Sequence, residues 1–323
     1  MTYQVAALTF AAIQRELADA DHSVRKEAIH KLMRYQREMA LLPLLELLQD
    51  ARSDVRVRAV QALGQLKDQR ALEPLQALLK DRSASVRVHV IGVLGDSGER
   101  SLAPELHYLL KDPGRRVRQA AARALGQLRN PASLPLLLAY LPRAENAELL
   151  YLVPAICDFD LPEAIMPLLA LCEADRTRLG SVATGLARLG AGSTPLLLQL
   201  LADPQASPIT RQCIIISLRL QPRQGSVPYL LQALEDSDAD VRSYAVSTLG
   251  CLQGIDVRKW FVRALSDACS SVRWNAIYAL SKLEPEPSAI DPLTACLSSA
   301  SRLEVEFATR ELARLQAFRA VRR

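Results

Sequence analysis

Aromatic residues are scarce in this sequence, 5% of 323 positions, and there are four histidines. No run of 18 apolar residues occurs, so no segment is expected to cross a bilayer as a helix. No five like charges stand together, so nothing reads as a basic arm or an acidic tail. The phosphate-cradling patterns Gly-x-x-x-x-Gly-Lys-Ser/Thr and Gly-x-Gly-x-x-Gly are missing, and so is Gly-x-Ser-x-Gly. Nucleotide binding and serine-hydrolase chemistry therefore have no motif to stand on. Cysteine is confined to six positions, all after residue 156, with no Cys-x-x-Cys and with the closest pair, Cys157 and Cys172, 15 residues apart. That is no dense disulfide framework, and free thiols in a reducing cytoplasm are expected. Cys172 and Cys296 occupy the same place in Leu-rich segments, where cysteine serves as a small hydrophobe. Met1 to Phe10 has no basic residue ahead of its apolar stretch and is not expected to be a secretory leader.

What is present is repetition. Val55-Arg56, Ala59, Ala62-Leu63-Gly64 and Leu66 return as Val117-Arg118, Ala121, Ala124-Leu125-Gly126 and Leu128. Val24, Val86, Val241 and Val272, each followed by Arg, open further copies. Positions 24, 55, 86 and 117 are 31 apart, and steps of 31 from 117 reach 241 and 272, so ten slots fit the chain. Such a period means stacked supersecondary units rather than separate cores. Within the phrase, apolar residues recur at intervals of three and four, the stripe of a helix. A Leu-rich segment precedes each copy, usually with a proline near its start, such as Pro43, Pro74, Pro104 or Pro228. Proline suits a first helical turn, whose N–H groups have no intrahelical partner. Each unit is thus two helices, and stacking buries what one pair cannot.

Six copies place an Asp six residues before the Arg: Asp19/Arg25, Asp50/Arg56, Asp81/Arg87, Asp112/Arg118, Asp236/Arg242 and Asp267/Arg273. The Asp falls in the turn between the helices, where it can accept free helix N–H groups. The Arg can reach a carboxylate of its own or of a neighbouring unit. A charge that recurs in every repeat is structural, since a functional residue would appear once. This Asp-x5-Arg spacing, with Val before and Ala-Leu-Gly after, resembles HEAT repeats, and most closely the short bacterial version of the phycobilisome-lyase HEAT-like group. The resemblance implies an all-α fold, a right-handed α-solenoid (α/α superhelix) of about ten two-helix repeats, with the second helices on the concave side. One solenoid over 1–323 is expected. Regular repeats run over about 1–128, degenerate ones over about 129–221, regular ones over about 222–283, and a C-terminal cap over about 284–323. The HEAT-repeat deoxyhypusine hydroxylases hold two irons with His-Glu pairs, and none of His22, His30, His89 and His107 is followed by Glu. That activity is excluded, and no cofactor or metal is expected.

The phrase fades in slots five to seven, which read Glu148-Leu149, Leu179-Gly180 and Thr210-Arg211. Slot six looks slipped by one, because Val182, Gly185, Leu186 and Leu189 then match the core positions. Pro154 falls inside a second helix and Gly180, Gly185, Gly190 and Gly192 cluster nearby, features of a hinge or of a change of curvature.

Counting the Val as zero, core positions are zero, four, seven and eight, and positions two, three and six point away from them. The early slots then present polar and basic residues: Lys26, Glu27, His30, Arg58, Gln61, His89, Gln119 and Arg123. The middle slots present Leu150, Tyr151, Gln212, Cys213 and Ile216, and the late ones Ser243, Tyr244, Ser247, Trp274, Asn275 and Tyr278. Arg58, His89, Arg123, Tyr244, Trp274, Asn275 and Tyr278 are the candidate partner-binding residues, with Tyr244 expected beside Trp274 as an aromatic anchor. The leading reading is a non-catalytic cytoplasmic scaffold that holds another protein on the concave face. Resemblance to the lyase group raises an alternative, a bilin lyase subunit or a chaperone-like maturation factor for a chromophore- or metal-containing protein. A nucleic-acid-binding HEAT-like protein is the other alternative. The net charge of +5 permits it, but Trp260 and Trp274 fall in a first and a second helix and are not expected to share a cleft.

Overall fold

The computed structural model describes residues 2–35, 37–223, 225–252 and 256–321, and among these there are 20 α-helices and no strand. The helices form ten consecutive pairs. The first helices are α1 (Thr2–Leu17), α3 (Leu41–Glu46), α5 (Leu72–Ala77), α7 (Ala103–Leu106), α9 (Leu134–Tyr140), α11 (Ile165–Ala174), α13 (Thr194–Ala202), α15 (Val227–Ala233), α17 (Arg258–Ala264) and α19 (Ile290–Cys296). The second helices are α2 (His22–Tyr35), α4 (Ser53–Leu66), α6 (Ala84–Asp96), α8 (Arg115–Leu128), α10 (Asn146–Cys157), α12 (Leu179–Arg188), α14 (Pro208–Leu220), α16 (Ala239–Leu249), α18 (Ser270–Ser281) and α20 (Arg302–Val321). The fold is an all-α solenoid whose contacts divide into two compact units, Met1–Phe159 and Asp160–Arg323. In the first, α2, α4, α6, α8 and α10 pack each on the next; in the second, α12, α14, α16, α18 and α20 do so. The first helices pack on their own partners, as α3 does on α4 and α17 on α18.

The turn inside each regular pair is built by its aspartate. After α3 a 3-10 turn, Leu47–Gln49, tightens the chain, and Asp50 Oδ1 accepts the Arg52 N–H at 2.8 Å just before α4 begins. Asp81, Asp112, Asp236 and Asp267 accept the N–H two residues on in the same way, at 2.7–2.8 Å. The same carboxylate also receives the arginine of the preceding repeat. Arg25 to Asp50, Arg56 to Asp81, Arg87 to Asp112 and Arg242 to Asp267 are paired through Nε and Nη2 to the two carboxylate oxygens, at 2.7–3.0 Å. Meanwhile Nη1 of each arginine donates to the backbone carbonyl of its own turn's aspartate, six residues back, at 2.6–2.8 Å. One guanidinium therefore uses its rigid fork to tie two successive turns together.

Where the next aspartate is lost, a glutamate replaces it from another position. Arg143 and Ala144 stand near the expected Asp in the fifth repeat, and Arg118 instead donates to Glu148 Oε1 through Nε and Nη2 at 3.1 and 2.9 Å. The Tyr140 and Tyr151 hydroxyls both donate to the same oxygen at 3.1 Å, and the Glu145 N–H donates to Oε2 at 3.2 Å, so the buried carboxylate is fully occupied. In the tenth repeat Ser299 stands at the Asp position and still caps the turn, accepting the Ser301 N–H at 3.1 Å. The charge comes from Glu304, which receives Arg273 at 2.6 and 3.0 Å and Ser299 Oγ at 2.6 Å. Both glutamates sit at the third residue of their helix, where the regular repeats have Val. This corrects the register of slot ten: Leu303, counted as the core Val, is 60% exposed, and Glu304 is 0% exposed. The tenth pair is α19 with the single long α20, whose core side chains include Ala308, Leu312 and Leu315. The basic end of the sequence, Arg319 to Arg323, reads as frayed; α20 continues through Val321, and Arg322 and Arg323 lie outside the described residues.

In the second unit Arg211 is a further rung, buried and paired with Asp236 through Nη2 at 3.0 Å and Nε at 2.7 Å. In its own turn Gln205 stands six residues back, and Asp203, two residues earlier, accepts the Gln205 N–H at 2.8 Å; Nη1 of Arg211 donates to the Ala206 carbonyl. The degenerate repeats use another polar chain. Asp160 Oδ1 accepts the Gly190 N–H at 2.6 Å and the Ser193 hydroxyl at 3.2 Å. Arg223 then donates to the Gly190 carbonyl at 3.1 Å, to Thr194 Oγ1 at 2.6 Å and to the Leu186 carbonyl at 2.7 Å. Pro154 lies inside α10, which continues to Cys157, so the Leu150 carbonyl receives no helical N–H from it.

At the other end of the second helices the repeated glycine sets the spacing. A Cβ on Gly126 would stand 2.8 Å from both Cα and carbonyl O of Ala155, and one on Gly95 2.7 Å from Ala124 Cβ. Gly92, elsewhere on α6, has nothing within 4 Å of its Cβ position. Gly126→Ala is expected to lower stability by about 1–3 kcal/mol through backbone displacement, and Gly92→Ala to raise it by up to about 1 kcal/mol. Urea unfolding of the two variants measures the contrast. Glu304→Val leaves the part-buried Arg273 without its carboxylate and is expected to cost about 2–4 kcal/mol. Adding Ser299→Asp rebuilds a regular turn and is expected to recover most of that loss in the same measurement.

Candidate partner-binding face

The rungs and the glycine contacts fix the rotation of each second helix, and thereby which side chains leave the core. In the first unit Arg58, His89 and Arg123, from three successive second helices, come together in one groove of about 1430 Å³. Gln61, Arg116 and Gln119 line it as well. His89 Nδ1 lies 2.7 Å from the Ser85 carbonyl, which holds the ring against its own helix. Arg116 escaped the outward count because it precedes the valine from which positions were numbered. Lys67, also in the groove, escaped because it ends α4 in a left-handed conformation, at φ 56°. In slot one Lys26 is taken up by Asp54 at 2.9 Å; that bond, with His22 nearby, lowers the Asp54 carboxyl to about 2.

In the second unit Trp274 and Tyr278 stack, with ring centroids 5.6 Å apart and planes 2° from parallel. Phe307 of α20 meets both edge-on, at 6.0 and 6.4 Å. Lys282 Nζ lies 4.1 Å from the Tyr278 ring centre, and Tyr278 is 41% exposed. The partner of Trp274 is thus the terminal helix: among the described residues Tyr244 makes no ring contact with Trp274 or Tyr278, which corrects its expected place in the anchor. Asn275 is committed to its neighbour, with Nδ2 donating to Ser243 Oγ at 2.8 Å. Phe307 was passed over because the slip of slot ten shifted its position.

The middle slots depart furthest from the outward count. Leu150 is 70% exposed, but Tyr151, Gln212, Cys213 and Ile216 are buried. Tyr151 turns inward to bond Glu148, and every residue of α14 from Thr210 to Leu218 is buried, so this helix has no outward face there. Gln212 Nε2 donates to Asp238 Oδ1 at 3.0 Å. Cys157, Cys172, Cys213 and Cys296 are buried, Cys269 is half-buried and Cys251 is exposed. Burial pushes the Cys296 thiol up to about 11, which keeps it protonated and unreactive. Among the described residues no group of three or more His, Cys, Asp and Glu is arranged to hold a metal ion. No described helix is long and apolar enough to cross a membrane. Trp260 and Trp274 lie on α17 and α18, a first and a second helix.

Models of HEAT repeats match residues 11–87, 75–152 and 227–313. The chain belongs to the HEAT-repeat family. The stretch between the matches contains α11 to α14, two repeats that lack the Asp-x5-Arg phrase. A comparison with curated proteins finds no match. Solved structures of similar fold include Kap121p, at 14% identity and a TM-score of 0.60, and Kap121p bound to Nup53p, at 14% identity and 0.62. Each alignment covers 97% of this chain and 41% of the karyopherin, so the chain spans about two fifths of that protein's length. At such identity the likeness concerns fold alone.

The rung carboxylates make this HEAT-repeat fold sensitive to acid. For Asp81, Asp267, Glu148 and Glu304, burial alone would raise the carboxyl, but the arginine bonds and the other donors to each carboxylate hold all four below their ordinary values. A pKa depressed on folding contributes stability above the unfolded value and loses it as pH falls through the folded one. The melting temperature is therefore expected to drop as pH is taken below about 4. A flat or rising melting temperature on acidification would show that the rungs do not couple to folding.

Proposed function

We propose that this HEAT-repeat protein is a non-catalytic scaffold that holds another protein along the outward face of its second helices. The observation that carries this reading is the convergence of Arg58, His89 and Arg123 on one groove. At about 1430 Å³ it is larger than the roughly 300–1,000 Å³ typical of small-molecule sites, and it runs across three successive repeats. A polymer fits such a surface better than a compact ligand. The half-exposed Trp274–Tyr278 pair adds aromatic area with polar edges in the second unit, the kind of residue that anchors protein interfaces. Kap121p, which shares the fold, is itself known bound to the protein Nup53p, and this supports a protein partner. Six cysteines without a Cys-x-x-Cys or a dense framework fit a reducing compartment, and we assign the scaffold to the cytoplasm on that ground.

Affinity purification from the source cell tests the reading. The wild-type chain is expected to recover a protein that an Arg58→Ala/Arg123→Ala variant loses by about tenfold or more, with Trp274→Ala reducing it independently. Equal recovery by all three proteins, each with unchanged helical circular dichroism, would remove the second-helix face as the binding surface.

A further inference from the structure

We infer that the groove on α4, α6 and α8 takes an extended acidic segment of the partner, seating carboxylates on Arg58 and Arg123. This rests on the scaffold reading and adds the chemistry of what is held.

The rung arginines in this unit are all matched by carboxylates. Arg58, Lys67, Arg116 and Arg123 are exposed, line the same groove, and have no carboxylate partner among the described residues. The acids that share the groove are occupied. Asp68 binds the Arg70 guanidinium at 2.7 Å and the Arg70 N–H at 2.9 Å. Asp96 accepts Gln127 Nε2 at 3.0 Å, and Glu99 accepts the Ser101 hydroxyl at 2.8 Å. Only Asp68 has its charge matched, by Arg70, so four cations against the two remaining carboxylates, Asp96 and Glu99, leave a net positive charge facing one space.

The neutral groups separate a peptide from a nucleic acid. Gln61, Gln65 and Gln119 line the groove, and a side-chain amide both donates and accepts, as a peptide backbone does. A phosphodiester backbone accepts only. It also carries a charge at every nucleotide, which would have to pass Asp68, Asp96 and Glu99, whereas an acidic peptide can present neutral residues there. No Phe, Tyr or Trp lines the groove, so unpaired bases would find no stacking platform.

Spacing gives the motif. Two helix-to-helix steps of about 9–10 Å separate α4 from α8, roughly 20 Å, which an extended chain rising about 3.3 Å per residue covers in about six residues. The groove thus selects acidic residues about six apart rather than adjacent.

The test uses the purified full chain at low ionic strength and fluorescence anisotropy of labelled Gly/Ser peptides. One carries two glutamates about six residues apart, one the same glutamates side by side, and one glutamines at the spaced positions. An oligothymidylate is the fourth probe. The spaced-glutamate peptide is expected to bind about tenfold tighter than the other two peptides. Arg58→Gln/Arg123→Gln, at exposed positions without partners, is expected to abolish that advantage at unchanged melting temperature. Equal binding of glutamate and glutamine peptides would overturn the acidic-segment inference while leaving the scaffold reading intact, because a peptide would still bind. Tighter binding of oligothymidylate would overturn both. Failure of every peptide to bind would overturn the inference alone, and the affinity purification would still decide the scaffold reading.

Discussion

The rest of the structure depends on an arginine fork that closes two turns at once. Arg56 is the clearest case: Nη1 holds its own turn through the Asp50 carbonyl, and Nε with Nη2 holds the next turn through Asp81. Both partners are almost wholly removed from water, with side-chain exposures of 5% and 6%. A charge in that position cannot lose its counterpart without a large penalty, so the pair is constrained to persist or to be replaced as a pair. The two irregular rungs obey this constraint. Each loses the aspartate and gains a glutamate at the third residue of the following helix, and in each the arginine keeps a carboxylate. The repeats drift in sequence within limits set by one buried charge.

The rung fixes the N-terminal ends of the second helices, and the glycine seam fixes their C-terminal ends. With Gly95 against Ala124 and Gly126 against Ala155, the helices approach closely enough that any rotation would drive backbone into side chain. The outward positions of α4, α6 and α8 then fall into line, which is why residues 31 or more apart in sequence share one groove. The fifth and sixth repeats have Leu149 and Gly180 where the rung arginine would be, and the border between the two compact units falls among them.

The period of 31 made the all-α solenoid legible, because a strict repeat of helical stripes has few other solutions. The partner of each arginine was not legible. Six residues separate Asp50 from Arg56, which favours a pair within one turn, yet Arg56 takes the backbone of that residue and the carboxylate of the next repeat. Distance along the chain does not report which oxygen is free, since Asp50 Oδ1 already serves the Arg52 N–H and Arg25. The outward face could be read wherever the register held, as at Arg58, His89 and Arg123. It failed at Tyr151, Gln212, Cys213 and Ile216. There a buried glutamate draws one side chain inward, and α14 is enclosed on all sides, an environment that periodicity within one helix does not encode.

Arg56 and Arg58 lie two residues apart on α4 and have opposite chemistry. The first is desolvated and saturated, so its free energy is already committed to folding, and a ligand could gain nothing from it. The second keeps its hydration and its donors, and a carboxylate brought to it would gain a charge-assisted pair at little cost to the fold. In a repeat protein built on paired charges, the distinction between structure and function therefore follows occupancy rather than residue type. The ladder arginines tie together the turns that set the helices of the groove, and the arginines without carboxylate partners are the donors that the groove leaves open.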